Sequence, residues 1–255
     1  MPAPAPPGWY VISLRPRGEH APVRRAASRA GAGVIALSPW QLRLRDDEAS
    51  REALRVAMQA PRVVVTSPTA VKAARSLHPL AARPGQQWFA VGASTAAALR
   101  RAGVAGVQAP SRMDSEGLLA LPGLQDLAGA ALGFISAPGG RGVLVPALQA
   151  RGATVLRADV YERVAVAPSS RSIEQLRTLT TPAVLALSSG EALETILNAL
   201  PAPARERLLQ SRVVAASARL ADLARACGFG EAAVARSALP RDLVAAARGM
   251  LERPA

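Results

Sequence analysis

Two widely separated stretches of this chain read as copies of one unit, and that duplication restricts the fold more than any other feature. In each copy an apolar strand ends in a Ser/Thr corner, a helix follows, and a second strand ends in small residues ahead of another helix. The first copy runs Arg62-Val63-Val64-Val65 into Thr66-Ser67-Pro68, then Trp88-Phe89-Ala90-Val91-Gly92-Ala93-Ser94-Thr95, a helical run from Ala96 to Arg101 and a stop at Gly103. The second runs Ala183-Val184-Leu185-Ala186-Leu187 into Ser188-Ser189-Gly190, then Arg212-Val213-Val214-Ala215-Ala216-Ser217, a helix to Ala226 and a stop at Gly228. Repetition of a strand–helix unit predicts two similar α/β domains, each with backbone N–H groups along its strand ends. Two such rims facing each other would make a cleft for an anionic ligand.

The rest of the chain fills in around the two copies. Further strands are expected at Trp9 to Leu14, Val34 to Leu37, Gly106 to Ala109, Leu132 to Ser136, Thr154 to Ala158 and Ala232 to Ala235, with helical segments between them. Clear helices fall at Ala21 to Ala30, Asp46 to Gln59, Ser115 to Leu119, Arg141 to Ala150 and Arg241 to Leu251. Two segments break the pattern. Ser38-Pro39-Trp40-Gln41-Leu42-Arg43-Leu44 and Asp159-Val160-Tyr161-Glu162-Arg163-Val164-Ala165 alternate polar and apolar residues, which suits exposed connectors better than buried parallel strands. Taken as crossings, residues 39–44 and 159–164 are two antiparallel linkers. They separate a discontinuous domain (1–38 plus 165–255) from an inserted one (45–158), with five strands expected in each. The fold class is therefore α/β: two flavodoxin-like parallel-sheet domains joined by a two-stranded antiparallel linker.

Composition excludes several function classes. The net charge of +13 invites a polyanion partner, yet Lys72 is the only lysine, and the arginines are scattered over helix faces and not gathered into a stripe. Solvated helix surface accounts for them better than nucleic-acid binding, and no nucleic-acid partner is expected; a basic surface still favours an acidic small molecule. Cys227 is the single cysteine and precedes a helix stop, so neither a disulfide framework nor a cysteine metal site is expected. His20 and His78 stand far apart without ligand-like spacing, so no metal and no cofactor are expected. The Pro/Ala-rich start, Met1 to Gly8, reads as a leader and not as a signal peptide, and no run of about 18 apolar residues offers a membrane span. The default is a cytoplasmic monomer.

Five short patterns recur in one order along nearly the whole chain. They are Thr66-Ser67-Pro68-x-Ala70-Val71, Val91-Gly92-x-x-Thr95-Ala96-x-x-Leu99, Gly140-Arg141-x-x-Leu144-x-x-x-Leu148-x-x-x-Gly152-Ala153, Val160-Tyr161-x-Arg163, and Ser188-Ser189. In this order and spacing the chain, from Trp9 to Leu251, resembles the uroporphyrinogen-III synthase family. The resemblance implies a cofactor-free enzyme that closes linear hydroxymethylbilane to uroporphyrinogen III, inverting the last pyrrole ring and losing water. That substrate carries eight carboxylates. Two departures stand out: Ala215-Ala216-Ser217-Ala218 where many relatives carry Gly before a Ser/Thr pair, and Leu187-Ser188-Ser189 without the threonine often seen before the serines.

The candidate site residues follow the strand ends. The resemblance places Tyr161 facing the site, where its phenol would donate a proton or hydrogen bond to the departing hydroxyl as an assisting group. The bland alternative is a ring packed at the domain junction. Thr95 would cap a helix, or with adjacent amides and Gly92 hold a substrate carboxylate, and both can be true at once. Ser67 and Ser189 carry the same two readings; Thr66, Ser188 and Ser217 are further candidate substrate contacts, and Ser217 can still cap its helix and donate one hydrogen bond. Ser67 lacks the Gly-x-Ser-x-Gly elbow of a covalent nucleophile. Gly139-Gly140-Arg141-Gly142 lacks the Lys-Ser/Thr pair of a phosphate loop, leaving Gly140 and Arg141 as carboxylate contacts or a plain turn. Arg15, after the first strand, is a further carboxylate contact. A different class of function also fits the fold: a two-domain hinge protein that binds an anionic metabolite and does no chemistry.

Overall fold

Valine- and isoleucine-rich tetrapeptides with no alternation are sequences that want apolar cover on both faces, and the chain uses them as the centres of two parallel sheets. The structure is a computed structural model, and it describes residues 7–112, 115–139 and 142–252. The chain separates into two units, Met1–Gln41 with Val164–Ala255, and Leu42–Arg163.

The first unit holds β1 (Tyr10–Ser13), α1 (Ala21–Arg29) and β2 (Gly33–Ala36) from the N-terminal segment. After the inserted unit the chain returns with elements numbered in chain order: α7 (Ser170–Arg177), β9 (Ala183–Leu187), α8 (Gly190–Ala199), α9 (Ala202–Leu209), β10 (Arg212–Ala215), α10 (Ala218–Ala226), β11 (Ala232–Val234) and α11 (Pro240–Leu251). Its five strands lie in the order β11-β10-β9-β1-β2, each parallel to its neighbours. Val11, Val184 and Val214 come from three adjacent strands and share one core with Val23 and Ala27 of α1 and Leu243, Val244 and Ala247 of α11. Each fully buried Val or Leu of this kind contributes about 1.5–3 kcal/mol relative to exposure.

The second unit contains α2 (Glu48–Gln59), β4 (Arg62–Val65), α3 (Pro68–Leu77), β5 (Gln87–Ala90), α4 (Ala93–Arg101), α5 (Ser115–Leu119), β6 (Ala131–Ser136), α6 (Leu144–Ala150) and β7 (Thr154–Asp159). Its parallel sheet runs β5-β4-β6-β7. The period of two along β4 sends Val63 and Val65 into one core and Val64 into another, so this sheet is covered on both faces. Packing on one face is close enough to need a glycine. A Cβ on Gly133 of β6 would stand 2.0 Å from the Ala57 carbonyl oxygen of α2.

Two further strands, β3 (Trp40–Leu44) and β8 (Tyr161–Ala165), form a two-stranded sheet of their own. It is antiparallel: Val166 N–H donates to the Pro39 oxygen at one end (3.3 Å) and Arg45 N–H to the Val160 oxygen at the other (3.1 Å). The two parallel sheets and this small ladder are the fold class read from the sequence.

Three local expectations need correction. Gly106–Ala109 is not a strand, and the second sheet has four strands among the described residues where five were expected. Only Gln108 pairs there, exchanging two 2.8 Å bonds with Trp88 and Ala90 of β5. Gly106 at φ +64° bends the backbone away on one side and Pro110 removes a donor on the other, so the ladder cannot propagate. The second helix starts at Glu48 and not Asp46, because Asp47 accepts from the Ser50 N–H (2.9 Å) as its cap. In the alternating segment from Ser38 to Leu44 the strand begins only at Trp40, past Pro39.

Candidate active site

In a parallel sheet every strand delivers its C-terminal end to the same edge, so the residues after the strands form one rim. In the second unit that rim carries Gly92 beyond β5, Thr66 and Ser67 beyond β4, the segment from Ala137 beyond β6, and Tyr161 beyond β7. A cavity of about 450 Å³ opens there, in the size range of small-molecule sites. Thr66, Ser67, Ser136, Arg157, Tyr161 and Arg163 are among its lining residues, with apolar wall from Phe134 and Val145.

Two hydroxyl pairs organise this cavity. Ser67 is the N-cap of α3, its oxygen accepting from the Ala70 N–H at 3.0 Å, and it also meets the Tyr161 hydroxyl at 3.3 Å. Capping fixes the direction of the Ser67 oxygen and still leaves its proton to give. Tyr161 is only 7% exposed, its ring packed in the same core as Val63 and Val65, so the phenol has little rotational freedom. The second pair is Thr66, just past β4, and Ser136, the last residue of the neighbouring strand β6, whose hydroxyl oxygens stand 2.9 Å apart.

Sequence reasoning did not single out Arg157. Its guanidinium lies 6.0 Å from the centre of the Phe134 ring and holds the Asp159 carboxylate with two 3.0 Å bonds from Nε; Nη2 donates to the Ala137 oxygen at 3.1 Å. The signal was present as Arg157-x-Asp159, a spacing of two that puts both groups on one face of β7. Ser115, Ser136 and Arg163 also line the cavity without having been chosen.

Thr95 does not line this cavity. It is buried at 3% exposure as the third residue of α4. The cap position belongs to Gly92, which offers no side chain and leaves the first-turn N–H groups of α4 without a side-chain acceptor. The capping reading of Thr95 therefore does not hold: the cap lies three residues earlier. Gly140 and Arg141 lie outside the described residues.

In the first unit, Arg15, Ser188 with Ser189, and Ser217 follow the adjacent strands β1, β9 and β10, again on one C-terminal rim. Ser189 caps α8 by accepting from the Ala192 N–H at 3.3 Å. Ser217 stands at the N-cap of α10 but makes no capping bond, a second correction; its backbone is fully extended (φ −159°, ψ 160°) and its hydroxyl remains available. Burial pushes the Arg15 guanidinium below its ordinary value, partly opposed by Glu19, and it stays a cation at neutral pH. Among the described residues no group of three or more His, Cys, Asp or Glu is placed to hold a metal ion.

A family model described as uroporphyrinogen-III synthase HemD matches residues 22–245, most of the chain. The chain belongs to the uroporphyrinogen-III synthase family. It is 36% identical over 170 residues to the uroporphyrinogen-III synthase of Salmonella typhimurium, spanning 63% of this chain and 69% of that one. With the Escherichia coli enzyme it shares 34% identity over 153 residues, 59% and 62% of the two chains. Among solved structures, a mutant uroporphyrinogen III synthase from Thermus thermophilus has the same fold at a TM-score of 0.63 and 20% identity, over 96% of this chain and 99% of that one. The uroporphyrinogen-III synthetase of Helicobacter pylori matches at 0.60 and 13%, over 94% and 99%.

Proposed function

We propose that this member of the family cyclises linear hydroxymethylbilane to uroporphyrinogen III, inverting the last ring and releasing water. Membership of a synthase family favours this over a protein that binds an anion and does no chemistry. The observation that carries the site assignment is the Tyr161–Ser67 hydroxyl pair, fixed at the rim of a cavity by a helix cap on one side and a packed ring on the other.

The chemistry asks mainly for geometry. Hydroxymethylbilane loses its hydroxyl readily to an azafulvenium, and it closes spontaneously to the unrotated isomer. An enzyme must direct attack through the substituted carbon of the last ring, by a spiro intermediate, before that closure happens. Orientation and confinement supply most of the advantage. With Ser67 donating to the Tyr161 oxygen, the phenol's own proton is left for the departing hydroxyl, and the donated bond makes that proton more acidic. Tyr161 is the assisting acid in this reading, and Ser67 positions it.

The carboxylates are held by donors at the strand ends. Thr66, the first-turn amides after Gly92, Arg141 and Gly140 serve in the second unit; Arg15, Ser188, Ser189 and Ser217 serve in the first. Thr95 takes part through its backbone, since its side chain is buried. Residues 39–44 and 159–164 act as the linkers between domains of 1–38 plus 165–255 and of 45–158. Within the same proposal the enzyme works as a cytoplasmic monomer, which light scattering on the purified protein checks in part.

The deciding experiment feeds freshly made hydroxymethylbilane to the protein, oxidises the product and resolves the uroporphyrin isomers by chromatography. Isomer III in excess is the expected result. Isomer I alone, at the uncatalysed rate, would refute the assignment.

A further inference from the structure

The first unit holds a second polar cavity that the reaction leaves unused. It lies beyond the C-terminal end of β2, has a volume of about 280 Å³, and is lined by Arg17, His20, Arg24, Ser38, Ser169 and Ser172 among others. A neighbouring cavity of about 360 Å³ shares Arg24, Ala36 and Ser172 with it and adds Arg171. Among the described residues no Asp or Glu lines either one. Arg17 only grazes the Ala167 oxygen at 3.5 Å, and among the described residues no carboxylate pairs with Arg17, Arg24 or Arg171. Three cations around two neighbouring hollows that no carboxylate among the described residues lines repel each other, and an anion would relieve that repulsion.

The back of the cavity is a buried relay. His20, 6% exposed, stands between Ser13 (Nδ1 to Oγ 3.0 Å) and Ser38 (Nε2 to Oγ 2.9 Å). Burial, with Arg24 and Arg15 nearby, pushes this ring down to about 4, so it is neutral at physiological pH. A neutral imidazole has one N–H and one acceptor nitrogen, so one serine donates to it and the other accepts from it. If Ser13 donates to Nδ1 and Nε2–H donates to Ser38, the Ser38 proton is free to point into the cavity. An anion there selects that tautomer. Ser169, the N-cap of α7, and Ser172 in its first turn are bonded to each other at 2.8 Å and also line the cavity.

We propose that this cavity is an oxyanion site, taking a phosphate or carboxylate group between Arg17, Arg24 and the Ser38 hydroxyl. Two sources share that chemistry: a free anion, or a carboxylate of the substrate, the latter resting on the function proposed above. The test titrates the full-length protein with inorganic phosphate at constant ionic strength, following the backbone amides of Ser38 and Ser169 and the ring nitrogens of His20 by NMR. Expected are saturable shifts at these positions, an Nε2–H tautomer at saturation, and at least about tenfold weaker binding in Arg24→Ala. Arg17→Ala gives a second, independent loss at an exposed position. Shifts that do not saturate, or wild-type affinity in both variants, would overturn the site. Turnover then separates the sources. Phosphate competitive with hydroxymethylbilane, with a raised KM and unchanged kcat in Arg24→Ala, assigns the site to the substrate. Phosphate binding with unaltered kinetics assigns it to a free anion. A protein that binds phosphate here yet makes no isomer III would refute the proposed function and leave this site standing.

Discussion

Replacing Tyr161 by Phe removes one oxygen atom and leaves the ring where it packs, so it isolates the hydroxyl from the core. The lost contact to Ser67 is long, 3.3 Å, and Ser67 keeps its bond from the Ala70 N–H. A neutral hydrogen bond of that quality contributes about 0.5–1 kcal/mol, which for a chain of this size lowers Tm by only a few degrees. Activity responds differently if the phenol supports the departing hydroxyl. A hydrogen bond that strengthens as charge develops contributes about 1.5–3 kcal/mol, so kcat should fall about 10- to 100-fold with KM little changed. Slower ring closure on the enzyme also leaves more hydroxymethylbilane to close by itself, so isomer I should rise in the product at low enzyme concentration. Stopped-flow turnover with isomer chromatography reads both effects, and thermal unfolding gives the stability control. Ser67→Ala, which removes the positioning partner, should give a smaller loss of kcat and a larger loss of stability. A Tyr161→Phe enzyme within about twofold of wild-type kcat would refute the assignment of Tyr161 as an acid and reduce it to a packing residue.

Gly133→Ala puts a methyl 2.0 Å from a backbone oxygen that no rotamer change can move, so urea unfolding should show a loss of more than about 2 kcal/mol. Ser189→Ala removes a cap and should cost about 1 kcal/mol, whereas Ser217→Ala, with no capping bond to lose, should leave Tm nearly unchanged; both should raise KM if both hydroxyls hold carboxylates. His20 is held neutral in the fold with a value of about 4, while the unfolded chain takes the proton near 6.5, so the unfolded state binds more protons between those limits. This contribution is complete above about pH 6.5 and is lost as pH falls to about 4, by at most about 3 kcal/mol; His20→Gln should flatten that part of the stability–pH curve relative to wild type.

Much of the fold was legible because its strongest signals are local. Val63-Val64-Val65, Ala183 to Leu187 and Val213-Val214 can be stable only with cover on both faces, and the alternating segments at Trp40 and Tyr161 can be stable only with one face open. What failed was equally local. Gly106 to Ala109 has the composition of an edge strand, but one left-handed glycine and one proline confine it to a single bridging residue. Helix starts shifted wherever more than one residue could cap, as at Asp46 and Asp47 or at Gly92 and Thr95.

The site was less legible, and the reason lies in the chemistry of its groups. Serines and threonines at helix starts have a structural task in every α/β fold, and the sequence does not say which of them has a hydroxyl left over. The structure separates them by counting bonds. Ser189 spends its oxygen on Ala192 N–H and keeps a proton; Ser217 spends nothing; Ser67 accepts from Ala70 and still reaches Tyr161. Arg157 escaped notice for the opposite reason, because its role depends on Phe134, Asp159 and Ala137, which are spread over two strands and the residue after one of them. A cyclisation whose bond-making is intrinsic to the substrate selects for such arrangements. On the proposed function the enzyme would need many moderate donors in fixed directions, most of them anchored by a structural bond as Ser67 and Ser189 are. A search for triads, metal ligands and perturbed acids passes over a site of the kind proposed here, whose groups are hydroxyls anchored at the ends of parallel strands.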